Sequence, residues 1–146
     1  AHAAELKTVA NAQFKAGMVA EACAAYEKAL ALLDGVADTV EGKAALALAL
    51  HLNSAACALK DKRPEAALTQ SDAALALSAS SAKAHFRRGQ ALSALERIDE
   101  AELAYREVLR IEPASREATQ GLQALLAQKA TATTGVGASA SAGSPA

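Results

Sequence analysis

Tryptophan is absent, and two tyrosines and two phenylalanines supply all the aromatic residues, 3% of a 146-residue chain. With so few aromatics and an alanine-dominated composition that is 52% hydrophobic, a β-sandwich is disfavoured. Alanine loses no side-chain entropy in a helix, so the same mixture favours an all-α fold. An excess of one charge is also missing. The formal net charge is -1, which rules out the global basic field that holds nucleic acid by counterion release. No uncharged run of about eighteen apolar residues is present, so no membrane span is indicated. The apolar stretch Ala44 to Leu52 is short and reads as a buried helix face. No basic segment followed by an apolar one stands at the start, as a secretory signal would require. The chain begins with Ala1 rather than Met, which suggests an excised domain or a processed product. The two cysteines, Cys23 and Cys57, lie in alanine-rich helical surroundings and read as reduced core residues in a reducing compartment.

The sequence does contain an internal repeat. Three segments share one spacing of small and large residues. The first has Ala10, Gly17, Ala22, Tyr26, Ala29 and Leu30; the second has Ala55, Lys62, Ala67, Ser71, Ala74 and Leu75; the third has Gly89, Glu96, Ala101, Tyr105, Val108 and Leu109. The second and third sets are offset by 34 residues at every position, and the first and second by 45, an insertion of 11. Small residues at these places let two helices of a hairpin approach closely. A single hairpin cannot bury its own apolar face, so such units must stack.

The spacing places seven helices. The first unit has one from about Ala4 to Ala16, a turn at Gly17, and a second from Val19 to Leu33 that stops near Asp34 and Gly35. Thr39 to Lys60 is predicted as one long helix, with Glu41 suiting the dipole of its first turn. The next begins near Pro64, tolerated there because its missing N–H would be unpaired anyway, and ends near Leu77. The third unit is predicted over Ala82 to Leu95 and Ile98 to Ile111, ending before Pro113. A last helix over about 114–128 carries Leu122, Leu125 and Leu126 at helical spacing and should cap the stack. Residues 130–146, of Ala, Gly, Ser and Thr with Val136 and Pro145, are expected to form a flexible tail.

A 34-residue period with a small residue in the first helix, an alanine in the second, an aromatic four residues later and a closing proline resembles the tetratricopeptide repeat. Gly89, Ala101, Tyr105 and Pro113 carry that resemblance best. It implies three repeats, over about 3–36, 48–81 and 82–115, in a domain spanning 1–129. The implied fold is a right-handed α-solenoid whose concave groove is lined by the first helix of each hairpin. Lys62 and Glu96 depart from the pattern by replacing a turn glycine, and Ser71 by replacing an aromatic.

On those inner helices Lys7 and Asn11 stand four apart, Asn53 lies on the next, and Lys83 and Arg87 stand four apart on the third, so each pair shares a face. This set resembles the carboxylate-clamp subfamily of tetratricopeptide domains found in co-chaperones, at all five motif positions. The resemblance implies binding of an extended peptide ending in Glu-Glu-Val-Asp, the C-terminus of 90-kDa and 70-kDa heat-shock chaperones. It further implies that Phe14, Ala56 and Leu59 border an apolar pocket and that Lys60 meets an upstream acid. Phe14 reads equally well as hairpin packing. The long third helix, with LNSAACALKDKR and AHFRRGQAL, is most similar to the domains attached to immunophilin peptidyl-prolyl isomerases, and a catalytic domain would then lie outside this chain.

Other chemistry finds no support in the residues. His2, His51 and His85 show no metal-ligand spacing with each other or with cysteine; His85 stands at the groove's edge. No nucleophile with a base, no metal cluster and no phosphate loop is visible, so the chain is read as a binding module and not an enzyme, without cofactor or metal. The expected protein is a cytoplasmic or organellar monomer that binds neither nucleic acid nor membrane. The rival reading is a scaffold that holds an unrelated internal peptide or a helix in the same groove.

Overall fold

A computed structural model describes residues 2–143, with side chains as far as residue 131. It contains seven helices and, among the described residues, no strand: α1 (His2–Lys15), α2 (Val19–Asp34), α3 (Lys43–Lys60), α4 (Pro64–Leu77), α5 (Ala82–Ala94), α6 (Ile98–Ile111) and α7 (Arg116–Gly143). Each helix packs on the next to give three antiparallel hairpins and a terminal helix. The inner helices also touch one another, α1 against α3 and α3 against α5, whereas the outer helices α2, α4 and α6 make no such contacts. The stack is therefore closed along the inner row and splayed along the outer row, and this curvature makes the concave face. Among the described residues, no helix is long and apolar enough to cross a membrane.

The three hairpin turns share one geometry. In the first, Gly17 N–H donates to Phe14 O (3.1 Å) and Met18 N–H to Gln13 O (2.9 Å); in the second, Lys62 N–H donates to Leu59 O (3.1 Å) and Arg63 N–H to Ala58 O (2.8 Å). In the third, Glu96 N–H donates to Ser93 O (3.0 Å) and Arg97 N–H to Leu92 O (2.9 Å). This paired bonding closes the orphan carbonyls of a helix end and requires a left-handed residue at its centre. Gly17 meets that need at φ 83°, while Lys62 and Glu96 are forced to 59° and 60°. The two replacements noted in the sequence thus keep the turn and accept the strain of a Cβ in the left-handed region.

Small residues set the helix separation. Ala10, Ala22, Ala55, Ala67, Ala91 and Ala101 are completely buried where helices cross. Tyr26 and Tyr105 fill the space beside the first and third crossings, at 2% and 4% exposure. The Tyr105 ring lies between two glycines: a Cβ at either Gly89 or Gly121 would stand 2.9 Å from it. Phe86 completes this cluster, its ring centroid 5.7 Å from that of Tyr105 at 55°. Ser71 holds the equivalent place in the second unit, wholly buried, and satisfies its hydroxyl by donating to Ala67 O at 2.8 Å. Cys23 and Cys57 are both free and buried, with sulfurs 2.7 Å apart across the α2–α3 contact. Burial is the main reason that the Cys57 thiol is pushed up to about 12, far from the thiolate range.

Two helices, α3 and α7, differ most from the sequence expectation. Helix α3 starts at Lys43 and not at Thr39, because Gly42 takes a left-handed φ of 84° that no helix can include. Lys43 then folds back, its Nζ donating to Val36 O (2.7 Å) and to Asp38 (2.6 Å), so Glu41 sits in the loop rather than in a first turn. Helix α7 begins at Arg116 rather than Ala114, since Ser115 caps it by accepting from Ala118 N–H at 3.2 Å. It also continues to Gly143, through most of the stretch expected as a tail, because no proline interrupts it before Pro145 and alanine favours the helix. Residues 144–146 lie outside the described residues. Of the three expected capping leucines, Leu125 is buried and Leu122 packs beside it, but Leu126 is exposed. Lys129 fastens α7 to α6 through Asp99 (2.9 Å) and Glu102 (3.4 Å).

Two substitutions test these constraints by urea unfolding. Glu96→Gly is expected to raise stability by about 0.5–1 kcal/mol, since relief of left-handed strain exceeds the added chain entropy. Gly121→Ala is expected to cost about 1–3 kcal/mol, because Tyr105 is held against Gly89 and cannot withdraw.

Candidate peptide-binding groove

The inner row carries the polar residues singled out in the sequence. Asn11 on α1 is the junction: its Oδ1 accepts from the Tyr26 hydroxyl on α2 and from Asn53 Nδ2 on α3 (3.2 Å). Among the described residues the Asn11 Nδ2 has no hydrogen-bond partner, which leaves it available as a donor at the pocket that Asn11 lines. A pocket of about 280 Å³ opens there, lined by Asn11, Phe14, Lys15, Tyr26, Asn53, Ala56 and Arg87. Three consecutive inner helices thus contribute to one concavity.

Arg87 forms the wall between this pocket and a second of about 280 Å³, whose lining includes Lys83, Phe86, Val108, Glu112 and Glu117. Its Nε is buried without a hydrogen-bond partner, and burial pushes its guanidinium down from the ordinary arginine value. Lys83 is exposed one turn before it, and Lys7 is half-buried one turn before Asn11. Lys7 borders neither pocket. Lys60 places its ammonium 5.6 Å from the centroid of the Phe14 ring, a cation–π distance that holds it beside the pocket that Phe14 lines. Leu59 is turned elsewhere, packed beside Ala58, Ala67 and Ala91.

Charge pairing separates this face from the others. Lys43, Arg63, Arg88, Arg97, Arg106, Arg110 and Lys129 each contact a carboxylate at 3.4 Å or less. Among the described residues Lys7, Lys15, Lys60, Lys83 and Arg87 contact none. The other unpaired cations, Lys28, Lys62 and Arg116, are exposed on α2, on a turn and on α7. The groove therefore offers N–H donors and cations that are free of ion pairs, although Glu112 and Glu117 line the pocket that Lys83 and Arg87 border.

Chemically this arrangement can donate N–H bonds and present positive charge to an anionic group. The structure brings Asn11, Asn53, Arg87, Phe14 and Ala56 into one pocket, sets Lys83 and Lys60 at its flanks and Lys7 a turn away, and leaves Leu59 in packing. It also adds Tyr26 and Lys15, which sequence reasoning did not place in the site. Tyr26 was legible only as an aromatic of the repeat, and the hydroxyl that distinguishes it from phenylalanine was the available signal. Lys15 follows Phe14 directly, and its basic charge beside a groove residue was the cue. His85 is tied by Nε2 to Ala79 O (2.9 Å).

Known proteins resemble this chain in sequence and in fold. The family model of the tetratricopeptide repeat matches residues 82–115. Over 120 residues, 81% of this chain, the sequence is 37% identical to the mitochondrial import receptor subunit TOM34 of Rattus norvegicus, of which it covers 37%. Over 117 residues, 77% of this chain, it is 32% identical to the peptidyl-prolyl cis-trans isomerase FKBP4 of Mus musculus, of which it covers 26%. The chain thus spans well under half the length of these curated relatives. Among solved structures, the first TPR of Spaghetti (RPAP3) bound to the HSP90 peptide SRMEEVD superposes with a TM-score of 0.74 at 32% identity, covering 88% of this chain and 94% of that one.

The unpartnered guanidinium yields a stability prediction. Replacing Arg87 by Met in the ligand-free protein is expected to raise the unfolding free energy by about 1 kcal/mol, read from the urea midpoint, because a half-buried cation without a partner costs more than an apolar chain of similar size.

Proposed function

Because this chain belongs to the tetratricopeptide-repeat family, we propose that its concave groove binds the free C-terminus of an extended acidic peptide, the Glu-Glu-Val-Asp tail of 90-kDa and 70-kDa heat-shock chaperones. The observation that carries this reading is the convergence of unpaired Lys83 and Arg87 with the Asn11 and Asn53 amides on three neighbouring inner helices. A terminal aspartate presents two carboxylates less than one residue apart. Lys7, Lys83 and Arg87 supply the charge to meet them, and Asn11 and Asn53 add donors without further like-charge repulsion. Charge-assisted hydrogen bonds of this kind contribute roughly 1.5–3 kcal/mol each before the costs of ordering and desolvation are subtracted.

Phe14 and Ala56 supply the apolar wall for the valine, and Lys60 reaches an acid upstream of it, with Leu59 supporting the wall from behind. The RPAP3 domain, similar in fold and sequence, is bound to a peptide with this ending. In this reading the chain is a monomeric, non-catalytic docking module of a cytoplasmic co-chaperone. Any catalytic activity of the whole protein would belong to other parts of it, as the name of the isomerase relative suggests.

Calorimetric titration with a peptide ending in Met-Glu-Glu-Val-Asp tests the proposal. The expected dissociation constant is on the order of micromolar, about -8 kcal/mol. C-terminal amidation, or the Lys83→Ala substitution, should weaken it at least about tenfold, and raised salt should weaken it further. Equal binding of the amidated peptide would overturn the carboxylate reading and favour a scaffold that holds internal segments.

A further inference from the structure

We infer that Tyr26 is a positioning residue of this site: its hydroxyl, reaching from the outer helix of the first hairpin to its inner face, holds the Asn11 amide with the N–H donors turned toward the ligand carboxylate. The inference rests on the carboxylate reading and goes beyond it, since no part of that reading assigns a role to an outer helix.

Tyr26 lies on α2 and is 2% exposed, yet it contributes to the lining of the groove pocket. Its hydroxyl donates to Asn11 Oδ1, and Asn53 Nδ2 donates to the same oxygen at 3.2 Å. Turning the Asn11 amide over would place its NH₂ against the NH₂ of Asn53 and leave the Tyr26 O–H without its acceptor. Both donors therefore favour one orientation, in which Nδ2 faces the pocket. Burial, with smaller contributions from Cys57 and Cys23, pushes the Tyr26 phenol up to about 12, so it remains a donor through the physiological range.

The equivalent positions show that repeat packing alone does not require this. Ser71 turns its hydroxyl to Ala67 O on its own helix, and Tyr105 makes no side-chain hydrogen bond among the described residues while its ring fills the gap between Gly89 and Gly121. Only in the first unit does this position bond to a groove residue. Phenylalanine would satisfy the packing there; tyrosine adds the bond to Asn11. Asn53, bound to the same oxygen, places the inner helices α1 and α3 in the same network, so the amide is preset before a ligand arrives.

The experiment compares the wild type, Tyr26→Phe, Asn11→Ala and the double variant by calorimetry against free and amidated Met-Glu-Glu-Val-Asp peptides, with melting curves to establish that each is folded. Tyr26→Phe keeps the ring, and it is expected to weaken the free peptide about five- to tenfold, to leave the amidated peptide unchanged, and to have no further effect once Asn11 is alanine. A Tyr26→Phe variant that binds the free peptide as the wild type does, or that loses the same factor in the Asn11→Ala background, overturns the positioning role alone. A wild type that does not distinguish the two peptides overturns the carboxylate reading and the positioning role with it.

Discussion

The close approach of paired helices at alanine and glycine is the constraint on which this structure depends. Where Ala10, Ala55 or Gly89 meets the second helix of its hairpin, any larger side chain would push the pair apart. The Tyr105 ring against Gly89 and Gly121 shows how little clearance remains. Because the contact repeats in each unit, the hairpins stack in one register and the inner helices touch while the outer ones diverge. A concave face follows from this unequal spacing. It exists before any ligand does, built from rigid helices rather than loops.

That rigidity explains how a site can be assembled from residues that are costly to keep. Arg87 is half-buried with an unpaired Nε, and Lys83 and Lys7 make no ion pair, although ion pairs are plentiful on the other faces. An internal acid would stabilise the empty protein and compete with the ligand. The chain accepts the strain of Lys62 and Glu96 in left-handed turns as well, and the fold supports both because burial in three hairpins and a terminal helix is shared along the stack.

The amide network gives the groove its polarity. Cations alone would attract any acid, with little preference for orientation. The Asn11 oxygen, occupied by Tyr26 and Asn53, fixes one of the two orientations of the amide, and Phe14, with Lys60 against its ring, adds an apolar wall to the same pocket. An outer helix thus takes part in inner-face chemistry through one hydroxyl.

Much of this was legible in the sequence, because a repeat displays its constraints three times. The 34-residue offset located the crossings, and the limits of α4 and α6 could be read to the residue because Pro64, Pro113 and the serine-rich turn mark them. The start of α3 was not read in this way: Thr39, Val40 and Gly42 are poor helix formers and hinted at a later start, but the left-handed φ of Gly42 and the fold-back of Lys43 are what fix it. Nor was the length of α7, whose alanine-rich continuation resembles a linker in composition. For the site, four-residue spacing placed Lys7 with Asn11 and Lys83 with Arg87, since helical periodicity is a local property. The sequence by itself determined the fold class, the register of the hairpins and the faces on which the charges lie, all consequences of short-range spacing. Only the tertiary structure decided which of those groups share a pocket, that Arg87 lacks a partner, and that Tyr26 reaches Asn11. Those facts depend on distances between helices, and no single segment encodes them.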